Sequence, residues 1–223
     1  MTILVIGATG TIGGAVADAL SARDGRDGPN GPNGPNGPNG PNGHSDSYEV
    51  LRASRRSGPL RVDLTDTPSI DALLEATGPV DAIVCCAASG AMTPLTAPSD
   101  DTFWTGLDGK LIGQVNLVRR ALTHVRDGGS LTLTSGHFAE PVPGSSLGHL
   151  INAGLEAFVH AAAVEMPRGV RLNAVSPGWV RETLAALGMD PAPGIPVADL
   201  ARVYVAAIEG TANGSTLAPA PSR

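Results

Sequence analysis

The chain has 223 residues, 42% of them hydrophobic and 16% charged, a balance that suits one soluble globular domain with a sizeable core. Its net charge of −6, with no basic run longer than Arg55-Arg56, argues against a nucleic-acid or anionic-membrane surface. The apolar run at residues 3–6 is too short, and too soon followed by glycine, for a signal peptide or a membrane span.

In chain order, residues 2–6 read as a strand and 11–22 as a helix, joined by a turn bearing Gly7, Gly10 and Gly13. Glycines let such a turn close and let backbone approach a pyrophosphate, while the N-terminal N–H groups of the helix supply donors and positive dipole. There follows GPN repeated five times at 28–42, inside an insertion spanning about 24–46. Five triplets in one chain do not make a collagen triple helix, so a flexible or polyproline-like loop is expected. It joins a helix end to a strand start, which is the sheet edge opposite the one where ligands bind. Its removal is therefore expected to leave ligand binding intact.

The second strand, 49–53, runs into Ser54-Arg55-Arg56-Ser57 with no carboxylate. A dinucleotide fold that selects NAD places an acid here for the ribose 2′-hydroxyl, and one that selects NADP places arginine near the 2′-phosphate. Arg55 or Arg56 is thus expected to clamp a 2′-phosphate, the alternative being solvated surface charge. Further strands are expected at 60–62, 81–87, 130–134, 170–175 and 215–217, and helices at 68–76, 100–125, 145–166 and 197–209. Strands alternating with crossover helices predict an α/β fold: one doubly wound parallel sheet with helices on both faces. The strands are apolar almost throughout, as both-sided burial requires. Cys85 and Cys86 adjoin in a strand and should point to opposite faces as buried thiols. Nothing supplies the remaining ligands of a zinc set, and no metal is expected.

Nearly end to end, apart from the GPN insertion, the chain resembles the short-chain dehydrogenases/reductases. GATGTIG resembles that family's glycine turn, with Gly7, Thr9, Gly10, Thr11, Ile12 and Gly13 at the cofactor. DLTD resembles its adenine pocket, with Asp63 and the Leu64 backbone near the base. CAASG stands where the family has Asn-Asn-Ala-Gly, placing Ala87, Ala88 and Gly90 beside the cofactor. LNAVSPGWV resembles the loop whose Pro177 and Gly178, with Val180, lie by the nicotinamide. The resemblance implies a single Rossmann domain over 1–223, bound NADP(H), a small-molecule substrate, and a homodimer or homotetramer packed through the fourth and fifth helices, while the two buried thiols fit a reducing, cytoplasmic setting. The helix that usually separates the second and third strands is missing, and a short segment after Pro177 implies a minimal lid.

The family's proton-transfer machinery is a tyrosine, a lysine four residues later, a serine and a helix-four asparagine. The tyrosine–lysine spacing puts both on one face of a helix, where the ammonium favours the phenolate. By resemblance of INAGLEAF, Asn152 holds the lysine position and Gly148 the tyrosine position. Ser135 fits the serine, and Lys110, in LDGKLIGQVNLV, stands where the asparagine belongs. The tyrosine is gone, and lysine and asparagine have exchanged places. Tyr48 and Tyr204 lie too far along the chain to substitute.

Three readings stay open on these residues. The chain is an NADP-dependent oxidoreductase on an unknown carbonyl or alcohol, with Lys110 restoring the cation at the ribose, Asn152 positioning water, and a histidine as the proton donor. His137 is better placed for that than His149, which a helix turns about 100° from the tyrosine face. Alternatively the chain binds NADP without redox chemistry, as a sensor or partner subunit. Or it is a non-redox enzyme, an isomerase, dehydratase or cyclase, using Ser135, Lys110 and histidine.

Overall fold

The computed structural model describes residues 1–22, 48–87 and 92–219. The GPN run, with its expected placement, lies outside these residues, as do Ala88 and Gly90. Along the described chain run β1 (Thr2–Ile6), α1 (Thr11–Ala22), β2 (Glu49–Ser54), β3 (Leu60–Arg61), α2 (Thr67–Thr77) and β4 (Val80–Cys85). Then come α3 (Asp100–Phe103), a π-helical turn (Leu107–Ile112), α4 (Gly113–Ala121), β5 (Val125–Thr134) and α5 (Ser146–Ala162). The chain closes with β6 (Arg171–Val175), α6 (Arg181–Ala186), α7 (Val197–Glu209) and β7 (Thr216–Leu217).

All seven strands form one parallel sheet in the order β3-β2-β1-β4-β5-β6-β7. Strand order reverses between β1 and β4, and a sheet of this kind opens a crevice at the carboxyl ends beside that switch point. Strand alternation divides the core in two. Ile3 and Val5 pack toward α1 and α7, whereas Leu4 and Ile6 pack toward α2, α4 and α5. Each such side chain, wholly removed from water, contributes about 1.5–3 kcal/mol. Cys85 joins one core and Cys86 packs on the other, as the strand alternation predicted. Burial pushes the Cys85 thiol up to about 12 and raises Cys86 too, so both stay protonated and unreactive at neutral pH.

No helix separates β2 from β3. Ser54 Oγ donates to Ser57 O at 2.6 Å and accepts from Ser57 N at 3.1 Å, turning the chain back on itself. Only two residues of β3 then pair with β2, so five connecting residues suffice where a full parallel partner needs a long crossover.

Two elements depart from the sequence reading. The single helix expected over 100–125 is broken, because Gly106 takes a left-handed conformation (φ 97°) that ends the first turns and restarts the chain in a π-helical turn. The strand expected at 130–134 begins earlier, at Val125, because Val125 pairs with Val80 before a bulge shifts the register to Ser130 opposite Ala82. The short helix α6 was not anticipated.

Candidate active site and nucleotide cleft

Among the described residues, two clefts open at the carboxyl edge of the sheet. The first, about 240 Å³, is bounded by the glycine turn, the end of β2 and the segment after β3. Gly7 sits at φ 85°, and a Cβ on it would stand 2.7 Å from Ala87 N, so the turn admits no side chain there. A Cβ on Gly13 would meet Gly7 O at 2.2 Å, which is how α1 starts directly against the turn. Gly7 N and Ala8 N both donate to Ala53 O, fixing the turn to the end of β2. Arg55, Asp63 and Leu64 line this cleft together with Gly7, Thr9, Gly10 and Ala87. Asp63 Oδ1 accepts from Thr65 N and Thr65 Oγ1, and these bonds, aided by nearby Arg55, hold its carboxyl below the usual range. Ser54, Thr65 and Gly109 also line it, and they escaped the sequence reading.

The second cleft, about 330 Å³, lies over the ends of β5 and β6. It brings together Lys110, Ser135, His137 and Asn152 with Ile12, Pro177 and Gly178. Thr11, Gly13, Arg56 and Val180 line neither cleft. Val180 is instead buried and bridges to Ile195. His137 stands exposed at the mouth, its backbone N donating to Pro177 O at 2.8 Å. His149 turns away and packs on Phe138, ring centroids 4.9 Å apart.

Gly148 lines this cleft with Phe138 beside it. A Cβ there would come within 3.0 Å of Phe138 Cε2, so the phenyl ring occupies the space a longer side chain would enter. One turn on, Asn152 is buried, and its Oδ1 has no hydrogen-bond partner among the described residues. A buried acceptor left unpaired costs about 1–3 kcal/mol, a cost that a hydroxyl-bearing ligand would offset.

Lys110 comes from the π-helical turn, where a helix widens and its side chains are re-aimed. It is the only lysine of the chain, every other residue among its 15 basic ones being arginine. That count was available from the sequence and is the signal that singles this residue out. Arginine serves any surface role of a cation, but it does not release a proton near neutral pH. Burial brings the Lys110 amine down to about 8, with Glu156 pulling the other way.

Buried Gln114 aligns this lysine with the serine. Its Nε2 donates to Lys110 O (2.7 Å) and Thr134 O (3.1 Å), and its Oε1 accepts from Thr134 N (2.9 Å). From the opposite face of the sheet, the fully buried Tyr204 hydroxyl meets Thr134 Oγ1 at 2.7 Å. Thr134 thus anchors the strand end that presents Ser135. Gln114→Leu orphans these backbone groups at about 1–3 kcal/mol each. A fall in melting temperature of several degrees is expected, measurable by calorimetry.

Ser135 itself is buried, and its Oγ donates to Glu156 Oε1 at 2.7 Å. Glu156, one turn beyond Asn152 on α5, was missed from the sequence. Gly148, Asn152 and Glu156 share one helix face at four-residue spacing, and that spacing could have revealed it.

The family model described as enoyl-(acyl carrier protein) reductase matches residues 42–198. The chain belongs to the short-chain dehydrogenase/reductase family. Protein lin1944 from Listeria innocua, a solved structure, is 32% identical, with 98% of each chain covered and a TM-score of 0.81. A small-chain dehydrogenase solved in complex with NADPH is 24% identical over 98% of this chain and 95% of its own, TM-score 0.75. The (5R,7aS)-5-hydroxy-7a-methyl-1-oxo-2,3,5,6,7,7a-hexahydro-1H-indene-carboxyl-CoA reductase of Mycobacterium tuberculosis is 32% identical over 128 residues, which are 53% of this chain. The matched stretch is 49% of that enzyme, so the chain spans about half the length of this curated relative. Among the described residues of this family member, no helix is long and apolar enough to cross a membrane. Nor do three His, Cys, Asp or Glu side chains gather there as around a metal ion.

Proposed function

We propose that the chain is an NADP(H)-dependent oxidoreductase acting on a carbonyl or alcohol, in which Lys110 carries the proton that the family's tyrosine otherwise carries. The observation behind this reading is the chain's one lysine, half-buried over Ser135 and Asn152 with its amine at about 8. An acid–base group is most effective when its pKa lies near the working pH. Exposed His137, at the cleft mouth, is the less favoured donor.

The cofactor fits the residues present. The glycine turn and the start of α1 would hold the pyrophosphate, Arg55 the 2′-phosphate, and Asp63 with Leu64 the adenine. Asn152 Oδ1, the unpaired buried acceptor, would take a ribose hydroxyl. The dehydrogenase of similar fold that carries NADPH is in keeping with this choice. When bound, NADPH supplies the hydride. Lys110 binds the substrate oxygen through N–H and passes its proton there as the carbonyl becomes an alcohol, leaving a neutral amine that water reprotonates. In the oxidation direction the neutral amine accepts the alcohol proton. Reduction therefore needs the ammonium form and should fade as pH rises through about 8; oxidation should gain over the same range.

The apolar lining of the cleft, with Ile12, Met92, Phe138, Leu147, Ile151 and Trp179, suits a largely hydrophobic substrate. The outward face of α5 supports the reading of a homo-oligomer. Leu150, Ala153 and Ala157 stand exposed there at helical spacing. Sedimentation of Leu150→Glu should then give a smaller species than wild type. The test of the function itself is fluorescence titration with NADPH and NADH, followed by turnover with hydrophobic aldehydes and ketones. Binding of NADPH far tighter than NADH, with turnover lost in Lys110→Met, is the expected result. NADPH binding without turnover on any such substrate would favour the non-catalytic reading.

A further inference from the structure

We propose that Glu156 is the positioning residue of the catalytic cleft. By taking the only proton of Ser135 it makes that serine face the cleft as a hydrogen-bond acceptor, and it leaves Lys110 as the group that donates to a substrate oxygen.

The hydrogen bonds carry this inference. A serine hydroxyl has one proton to donate. Here Ser135 Oγ donates to Glu156 Oε1 at 2.7 Å, whereas its contact with Val175 O is longer, at 3.4 Å. Ser176 Oγ donates to the same carboxylate oxygen at 2.9 Å. Both strand ends at the cleft floor, after β5 and β6, thus send their hydroxyl protons to one carboxylate on α5. Hydroxyl bonds to an ionised oxygen are short and about twice as strong as neutral ones, so the proton of Ser135 stays committed. What remains toward the cleft is lone-pair density, which accepts from an ammonium or an alcohol and repels a carbonyl oxygen.

Glu156 also acts on the lysine. The charged or titratable groups on the segments around Lys110 include Glu156, His149 and His160 on α5, His137 and Glu140 after β5, and Asp108 on its own π-helical turn. Of these, Glu156 is the one whose charge favours the ammonium appreciably, against the effect of burial. One carboxylate therefore assigns both roles: Ser135 accepts and Lys110 donates. The inference extends the reading of Lys110 as proton carrier, but its tests read the protein without turnover.

Because the chain has one lysine, labelling with ¹⁵N-lysine gives a single side-chain amine to follow by NMR against pH. The wild-type protein should titrate near 8. Glu156→Gln should titrate at clearly lower pH, and Glu156→Asp, which keeps the charge, close to wild type. An unchanged midpoint in Glu156→Gln would overturn the proposal, since a carboxylate that only braced two hydroxyls would not move it. If Glu156→Gln does not fold, neutron diffraction from the deuterated wild-type protein decides instead. The Ser135 deuteron should lie on the Glu156 side, and a deuteron directed into the cleft refutes the inference. Should the titration shift as expected while Lys110→Met keeps full turnover, Glu156 retains its role and the proton-carrier reading fails alone. In the active enzyme the high-pH limb of reduction should move down in Glu156→Gln together with the NMR midpoint.

Discussion

Lys110→Met is expected to lower turnover by about 10²–10⁴-fold while leaving NADPH affinity within a fewfold of wild type, since a positioned acid–base group is worth that much in rate. Lys110→Arg should fail equally, although it preserves the charge, because a guanidinium does not give up a proton near pH 8. The same methionine variant should be more stable than wild type at neutral pH. The folded-state pKa of Lys110 lies near 8, below that of an unfolded lysine. Between these values the unfolded chain binds more protons, so wild-type stability rises with pH there. The cost of burying the charged amine is fully present below pH 8 and is lost as pH climbs toward the ordinary lysine range. Thermal melts of both proteins against pH should therefore show a gap that closes upward from pH 8. Parallel curves would mean that the amine is not desolvated.

The second large effect is expected at Arg55. Arg55→Ala should weaken NADPH by about tenfold to a hundredfold, as fits the loss of a charge-assisted contact worth about 1.5–3 kcal/mol. NADH affinity should change little. Arg56→Ala should leave both affinities near wild type, because Arg55 lines the nucleotide cleft with Asp63 and Thr9 and Arg56 does not. Fluorescence titrations of wild type and both variants with each cofactor separate these outcomes, and equal losses for both cofactors would remove Arg55 from the 2′-phosphate. The sequence alone left the two arginines equivalent. The short reversal at Ser54–Ser57 is what sends them to different surroundings.

Much of the fold was open to reading for a simple reason. Both faces of the sheet are covered, so its strands are uninterrupted apolar runs. Gly7 and Gly13 stand where a Cβ would come within 2.7 and 2.2 Å of backbone atoms, so no other residue fits at either position. The sequence also allowed Lys110, Ser135, His137 and Asn152 to be named as candidates, and the structure brings these four to one cleft. Other features depend on packing that no local pattern carries. The break at Gly106 needs a positive φ that the sequence permits but does not demand. Phe138 fills the space beside Gly148 only because the loop after β5 folds over α5. Glu156 looks like any helix-surface carboxylate until β5 and β6 bring two serines to it. The lone lysine was countable from the start, and its meaning came only with its burial.

That lone lysine also offers an intrinsic gauge of motion. A lysine-specific endoprotease has one target bond in this chain, Lys110–Leu111, and it lies inside the π-helical turn. Cleavage there requires the turn to leave its seat on α5, where Leu111 lies beside Gly154. Local opening rather than global unfolding governs proteolysis of such a segment. The rate of this single cut therefore measures how often the segment carrying Lys110 lifts away, in solution and without any substrate in hand.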